Sequence, residues 1–191
     1  MVSTINSTIY TEQQITKDRI ESHDIRLAKP DDLAQVVAIY NQSIAGKAST
    51  ADLTPVTIAD RKIWFDDHLN NPHRPIYIMT NATGSIVAWG SFSDVKSRLA
   101  YHISSEISIY VAESGQGLGL GKQMLQWMLS QAPQLGITNI LALIFGHNKP
   151  SLALFNKFGF EQWGKLPNVC DMQDFRADII ILGLSLDNLN H

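Results

Sequence analysis

Residues 105–122 read SEISIYVAESGQGLGLGK, and this stretch decides which folds the chain can adopt. Its first part alternates polar and apolar side chains, which is the period of a β-strand with one buried face and one polar face. Its last part places glycines directly before an apolar helical pattern. The stretch therefore predicts a strand, a glycine-rich turn and a helix. Free N–H groups at the start of such a helix can hold a phosphate group.

The strand is predicted to run from Tyr101 to Val111, because the alternation continues upstream of the quoted stretch. Its core face comprises Ile103, Ile107, Ile109 and Val111. The polar face comprises His102, Ser104, Glu106, Ser108 and Tyr110. We therefore expect Glu106 to lie on the polar face of a half-buried strand.

The glycine turn, Gln116 to Gly121, matches two common nucleotide-binding motifs only in part. A dinucleotide-binding turn has the spacing G-x-G-x-x-G, whereas the spacing here is G-x-G-x-G. A Walker P-loop needs serine or threonine after its lysine, but Gln123 follows Lys122. A glycine turn that only allows close backbone packing is also compatible with these residues. The turn alone does not decide between a phosphate site and a packing turn.

The remaining segments predict a mixed α/β or α+β sheet domain without internal repeats. Upstream, strands are predicted at residues 25–28, 75–79 and 86–92, and helices at residues 30–45 and 58–69. The turn-rich stretch at residues 80–84 predicts that the second and third strands form a hairpin. Downstream, a helix with the apolar stripe Leu118, Leu125, Met128, Leu129 and Ala132 ends at Gly136. It is followed by strands at residues 139–145, 160–163 and 176–186, and by a helix at residues 150–158. The strand at residues 139–145 is nearly continuously apolar, which predicts burial on both of its faces.

Length and composition indicate one globular domain. The chain has 191 residues, of which 45% are apolar and 17% are charged. Its 15 basic residues against 18 acidic ones give a net charge of -3, so no global basic field attracts nucleic acid or an anionic membrane. We predict a polar N-terminal leader at residues 1–23, a single domain at residues 24–188 and a small-molecule substrate.

The location predicted from the sequence is the cytoplasm. The only cysteine, Cys170, cannot form an intramolecular disulfide, and no Cys/His cluster has zinc spacing, so no metal is expected. The polar leader lacks the apolar segment of a secretory signal. No apolar run approaches the about 20 residues that a membrane span needs, so no membrane partner is expected.

Two motifs resemble signatures of the GNAT acetyltransferase superfamily. Gln116, Gly119 and Gly121 match its Q/R-x-x-G-x-G/A turn. Asn148-Lys149-Pro150-Ser151, followed by Phe158-Gly159-Phe160, resembles its second signature, an N-x-x-[AS] helix that ends in G-F. Two signatures in the expected order are more specific than either one alone.

The chain is most similar to the phosphinothricin and methionine sulfoximine acetyltransferases, over about residues 24–186. The similarity lies in Ile25-Arg26, Ile39-Tyr40-Asn41, residues 98–101 and residues 105–111. The resemblance implies a mostly antiparallel, twisted sheet that is flanked by helices and splayed between its central strands. It also implies acetyl-CoA as co-substrate and a homodimer.

The resemblance further implies where the cofactor and the acceptor bind. By this resemblance, the backbone at the end of the strand, at Ile109, Tyr110 and Val111, pairs with the pantetheine arm of the cofactor. Asn148 matches an asparagine that also contacts the cofactor. The pyrophosphate turn carries over to Gln116, Gly117, Leu118, Gly119, Leu120, Gly121 and Lys122. Glu106 matches the family's acidic residue and is the candidate base, while Lys96, Ser97 and Arg98 match its substrate loop. The alternatives are a water-facing strand carboxylate for Glu106 and ordinary surface charge for Arg98.

Two departures from the family pattern bear on the chemistry. Phe155 stands where many relatives have a tyrosine that protonates the leaving thiolate, so water or another group must supply that proton. Relatives tend to have a run of basic and aromatic residues in the C-terminal loop, where residues 171–176 of this chain read DMQDFR. This difference suggests that the chain selects a different substrate.

The leading hypothesis is direct acetyl transfer to the primary amine of a small amino-acid-like compound, such as phosphinothricin, methionine sulfoximine or methionine sulfone. Cys170 lacks the paired histidine of a covalent nucleophile. A second hypothesis changes the acceptor to a protein N-terminus, a polyamine or an antibiotic amine. A third makes the domain a non-catalytic CoA-binding sensor, for which loss of Glu106 would be expected.

Overall fold

The computed structural model describes residues 23–187, so nearly all of the predicted leader lies outside the described residues. Within this range the chain forms seven strands and four α-helices. The strands are β1 (Asp24–Leu27), β2 (Ile76–Thr80), β3 (Ile86–Asp94), β4 (Ser104–Val111), β5 (Asn139–Phe145), β6 (Glu161–Asp171) and β7 (Arg176–Ser185). The helices are α1 (Leu33–Gln42), α2 (Ile58–Leu69), α3 (Leu120–Gln131) and α4 (Lys149–Lys157).

The strands form one sheet in the order β1-β2-β3-β4-β5-β7-β6. Every neighbouring pair is antiparallel except β4 and β5, which are parallel. That parallel pairing extends only from Ser104↔Asn139 to Glu106↔Leu141, although both strands continue beyond it. The predicted mixed, mostly antiparallel sheet with a central splay is confirmed.

Helices cover both faces of the sheet, and the strand period sends side chains alternately to each. On β2, Ile76 and Ile78 pack with residues of α1 and α2, whereas Tyr77 and Met79 pack in the cluster that contains α3. On β4, Ile107 belongs to the α3 side, and Tyr110 packs against the cluster of α1 and α2. The polar face of β4 is therefore turned toward α1 and α2.

Local sequence signals predicted several elements correctly. Thr57 opens α2 with a capping box, in which its hydroxyl accepts from the Asp60 N–H and the Asp60 carboxylate accepts from the Thr57 N–H. The predicted hairpin is present as β2 and β3. Gly136 ends the segment after α3 with a left-handed φ of 73°. No helix among residues 23–187 is long and apolar enough to cross a membrane.

Two predictions, one for the start of β4 and one for the buried face of α3, are wrong. The strand begins at Ser104 rather than Tyr101, because Leu99–Tyr101 forms a 3-10 turn and the His102 N–H donates to the Leu99 carbonyl. Ile103 and His102 therefore do not extend the two faces of the strand. Leu118 is 66% exposed and precedes α3, so it does not belong to the buried stripe of that helix.

Three other segments differ from their predicted bounds or burial. Helix α1 ends at Gln42, where the Ser43 hydroxyl donates to the Tyr40 carbonyl and turns replace the helix. Strand β6 is far longer than the predicted edge at residues 160–163. Leu143 on β5 is 46% exposed, so this strand is not buried on both faces.

Candidate active site

Glu106 lies where two cavities meet. The first, which we call the aromatic cavity, has a volume of about 190 Å³ and lies between the α1–α2 side and strands β3 and β4. The second, the strand cleft, has a volume of about 360 Å³ and lies where β4 and β5 diverge. Glu106, Ser108 and Tyr110 line both cavities. A molecule in one cavity can therefore meet a molecule in the other at this face of β4.

The environment of Glu106 suits a group that accepts a proton. Burial raises the pKa of its carboxyl above the ordinary value, since water solvates the ionised form less well there. No side chain among the described residues forms a hydrogen bond or an ion pair with this carboxylate. Ser93 lies directly across from Glu106 in the β3–β4 register and also lines the aromatic cavity. The carboxylate is therefore available to a bound partner instead of facing an open surface.

Aromatic rings form the walls of the aromatic cavity. Trp89 is 3% exposed and stacks on Tyr110 with ring centroids 4.5 Å apart. Tyr40 lies 5.1 Å from Tyr110, and Trp64 lies 5.9 Å from Trp89. Burial is the main cause that raises the Tyr110 pKa, so its phenol stays protonated at neutral pH. Trp89 is thus both a core residue and part of the cavity wall.

A hydrogen-bond network fixes Arg61 at this cavity. Its Nη2 donates to Asp52 Oδ2 at 2.8 Å, and the Tyr40 hydroxyl donates to the same oxygen at 2.5 Å. The guanidinium lies 4.3 Å from the centroid of the Tyr40 ring. The Tyr40 and Thr50 hydroxyl oxygens are 2.5 Å apart. Because Tyr40 lines the aromatic cavity and Thr50 lines the strand cleft, this network connects the two.

His68 determines how the Ser93 hydroxyl is oriented. Its Nδ1 lies 2.8 Å from the Trp64 carbonyl oxygen, which can only accept, so Nδ1 carries the hydrogen. In the neutral ring Nε2 is then an acceptor, and the Ser93 hydroxyl donates to it, with Oγ and Nε2 3.1 Å apart. The remaining lone pairs of Ser93 can accept from a bound group. An ammonium group beside Glu106 would find a second acceptor there.

The strand cleft exposes an unpaired edge of β4. Beyond Glu106, β4 has no β5 partner, although it remains paired with β3 up to Val111. Loop residues 48–51 line the cleft. Asn148 holds this loop, because its Nδ2 donates to the Ala48 carbonyl at 2.8 Å while its Oδ1 accepts from the Ser151 N–H. The side chain of Asn148 thus caps α4 and positions the loop beside the cleft.

The glycine turn presents free backbone donors at the start of α3. Gly117 and Gly119 have φ angles of +77° and +80°, a conformation that L side chains rarely adopt, and open space surrounds the position of each missing Cβ. Within residues 23–187, no backbone acceptor pairs with the N–H groups from Gly119 to Lys122. The positive end of the helix dipole adds to these donors. This geometry matches an anion site.

The structure brings together only some of the predicted site residues. Ile109 and Tyr110 line the strand cleft with Glu106 and Asn148, and Val111 is a partly buried residue at the end of the same strand. Lys96, Ser97 and Arg98 instead line a separate hollow with His102, and this hollow shares no lining residue with either cavity. The expectation that His102 shares a face with Glu106 is wrong, because His102 lies in the turn before β4.

The sequence did not indicate the hydrogen-bond network of Arg61, Asp52 and Tyr40 at the aromatic cavity. Arg61 precedes Trp64 by three positions on α2, so both lie on one side of the helix, and this spacing was the available signal. Asp52 belongs to an irregular segment whose path is set by tertiary contacts. Tyr40 repeats with the apolar residues of α1 and looks like a core residue in the sequence.

Comparisons with known proteins agree with this geometry. Residues 47–160 match the acetyltransferase (GNAT) family. The chain is 47% identical over 162 residues to YwnH of Bacillus subtilis, whose provisional name is phosphinothricin acetyltransferase, and the match covers 85% of this chain and 98% of YwnH. It is 31% identical to the L-methionine sulfoximine/L-methionine sulfone acetyltransferase of Pseudomonas aeruginosa, over 87% of this chain and 96% of that protein.

The fold is also similar to that of a solved structure with the cofactor bound. A phosphinothricin acetyltransferase from Sinorhizobium meliloti, in complex with acetyl-CoA, superimposes with a TM-score of 0.81 at 26% identity. The match covers 86% of this chain and 88% of that one.

Proposed function

Because the chain belongs to the acetyltransferase (GNAT) family, we propose that it transfers acetyl from acetyl-CoA to the primary amine of a small amino-acid-like compound. The proposed acceptors are of the phosphinothricin, methionine sulfoximine or methionine sulfone type, by similarity to relatives with those activities. The observation that carries this proposal is the position of Glu106 at the junction of the aromatic cavity and the strand cleft.

The residues around the strand cleft fit acetyl-CoA, which supplies the acetyl thioester. The free N–H groups from Gly119 to Lys122 would hold its pyrophosphate. The unpaired edge of β4 at Ile109, Tyr110 and Val111 offers backbone groups to the pantetheine amides, in the way that an added strand pairs with a sheet edge. Asn148 would keep the loop at residues 48–51 in place beside the cofactor.

Glu106 would act as the base for direct attack. An amine arrives at neutral pH mainly as ammonium, and its nitrogen needs a free lone pair to form the amide bond as the carbon–sulfur bond breaks. The ammonium proton passes to the Glu106 carboxylate, either directly or through a water. Phe155 lines the cleft and has no proton to donate, so we assign protonation of the leaving thiolate to water. Cys170 also lines the cleft but has no assigned role.

The size of the aromatic cavity favours a small acceptor over a protein N-terminus or an aminoglycoside. About 190 Å³ is below the range that drug-sized ligands occupy. The free carboxylate of Glu106 favours an active enzyme over a CoA-binding sensor.

We also propose a homodimer and a cytoplasmic location. The family resemblance suggests the second copy, and the outer edge of β6 is where we expect it to contact the chain. This edge ends the sheet, and Trp163, Leu166 and Val169 on it are 48%, 41% and 54% exposed. The free thiol of Cys170 is compatible with a reducing compartment.

Glu106→Gln tests the proposed chemistry, because glutamine keeps the shape of the side chain but cannot take the proton. With methionine sulfone as acceptor, kcat should fall by about 10²- to 10⁴-fold at neutral pH. Acetyl-CoA affinity by calorimetry should stay within about twofold of native, because the glycine turn is untouched. The defect should shrink at high pH, where free amine is already abundant.

Glu113→Gln is the matched control, since Glu113 is exposed and lines neither cavity. Native kcat in Glu106→Gln at neutral pH would remove Glu106 from the mechanism. A defect of the same size at every pH would indicate that Glu106 positions the acceptor and does not remove its proton.

A further inference from the structure

We propose that Arg61 binds the carboxylate of the acceptor and so selects amino acids over simple amines. This inference rests on the proposed function and assigns the substrate contact to a residue that lies outside the predicted basic loop.

The aromatic cavity has opposite charges on its wall. Among its described lining residues, Arg61 is the basic side chain and Glu106 is the acidic one. Tyr110 lines the same cavity as both of these side chains. An amino acid carries ammonium and carboxylate on the same carbon. When its nitrogen lies at Glu106, its carboxylate must lie nearby, and Arg61 is the cation of that cavity.

Contacts with Asp52 and Tyr40 fix the position of the Arg61 guanidinium and leave some of its N–H groups without a partner among the described residues. Asp52 takes only its Nη2 group, and the Tyr40 ring supports the guanidinium plane from 4.3 Å. No acceptor among the described residues pairs with its Nε or Nη1. The side chain is 28% exposed, so a ligand can approach it. A fixed guanidinium with unused N–H groups is well suited to a carboxylate.

The predicted alternative, Arg98, does not have this placement. Arg98 is exposed and lines the separate hollow with Lys96 and His102. In a single chain it therefore shares no cavity with Glu106.

The test compares two acceptors that differ only in the carboxylate. They are methionine sulfone and 3-(methylsulfonyl)propylamine, which is the same compound without its carboxylate. The native enzyme should prefer methionine sulfone. Arg61→Gln should raise the KM for methionine sulfone by about ten- to a hundredfold, the loss expected when a hydrogen-bonded charge partner is removed. The kcat/KM for the propylamine should change by no more than about twofold, since this amine makes no contact with Arg61.

Two further variants keep the test decisive. Lys62→Gln removes a neighbouring charge that is 62% exposed on the same helix, and it should leave both acceptors unaffected. If Arg61→Gln does not fold, Arg61→Lys gives the same comparison, because lysine keeps the charge but loses the planar fork. It should show a smaller rise in KM that is again confined to methionine sulfone.

A failure of the Arg61 assignment and a failure of the proposed acceptor class give different results in this test. If the native enzyme prefers methionine sulfone but Arg61→Gln loses the same factor for both acceptors, Arg61 only supports Tyr40 and Asp52, and the inference is wrong. If the native enzyme prefers the propylamine, the amino-acid-like acceptor class itself is wrong, and the inference fails with it.

Discussion

At the scale of single residues, Glu106 carries a cost in stability that its position explains. Its carboxylate is partly buried among aromatic side chains and forms no ion pair with any of the described residues. Its folded-state pKa is therefore raised above the unfolded value. The folded state then binds the proton more tightly, so stability is lost as pH rises through the folded pKa.

Glu106→Gln should consequently be more stable than the native chain at alkaline pH. Glutamine does not ionise, so we expect Tm at pH 8 to rise by about 2–4 °C. The difference should disappear near pH 4, because the native carboxyl is then largely neutral in both states. Differential scanning calorimetry across this range measures the effect. A Tm difference that is independent of pH would show that burial of the charge is not its cause.

The sequence indicated Glu106 as a candidate site residue, but it did not indicate Arg61 as a second candidate. Alternation along β4 placed Glu106 on a polar face, and the family resemblance added its role. The position of Arg61 depends on Asp52, nine residues earlier in an irregular loop, and on the stacking of Tyr40. Neither contact has a local sequence pattern. The basic residues of the predicted loop stay candidates from the family resemblance, and in the single chain they line a separate hollow.

At the scale of elements, the glycine turn before α3 is the proposed pyrophosphate site, and its backbone conformation can be tested by substitution. Gly119→Asp would add a negative side chain beside the free N–H groups that we propose to hold the pyrophosphate. We expect acetyl-CoA affinity to fall by at least about tenfold in calorimetry, because repulsion and a distorted turn both oppose pyrophosphate binding.

Gly84→Asp provides the control for this substitution. Gly84 has the same φ of +80° and the same open surroundings, but it lies in the turn between β2 and β3. Both variants should lose similar stability from the left-handed backbone, and only Gly119→Asp should lose affinity. Equal affinities of the two variants would place the pyrophosphate elsewhere.

Most helices and strands were predictable because two kinds of signal are local in the sequence. These are the periodicity of apolar residues and the residue types that begin or end an element. Exceptions arose where those signals are weak. Strand β6 contains Pro167, and Asn168 has a φ of 53°, so part of it looks like a loop in the sequence. Its residues are mostly exposed on both faces, which removes the alternation that marks other strands.

At the scale of the whole molecule, the strand cleft exists because β4 and β5 pair briefly and then diverge. No local pattern encodes this divergence, and only the family resemblance predicted it. The same sheet ends at β6, whose unpaired edge and apolar side chains would be a liability in an isolated chain.

Val169→Lys tests whether a second copy covers that edge. Val169 is 54% exposed, and a lysine there would place a charge in an apolar interface. We expect the native chain to sediment as a dimer and the variant to shift toward monomer by about tenfold or more in Kd. Ile63→Lys, at a 75% exposed position on α2, should leave the dimer unchanged. A native monomer at the same concentrations would contradict the assembly, and a dimer insensitive to Val169→Lys would move the interface away from β6.

A panel of acceptors, assayed with acetyl-CoA under identical conditions, tests the proposed acceptor class. The panel contains methionine sulfoximine, methionine sulfone, phosphinothricin, spermidine and kanamycin, and the measurement is kcat/KM for each. The small aromatic cavity, with Glu106 and Arg61 on its wall, predicts that at least one amino-acid analogue exceeds both spermidine and kanamycin by about tenfold or more. A higher kcat/KM for spermidine or kanamycin than for all three amino-acid analogues would show that the proposed acceptor class is wrong.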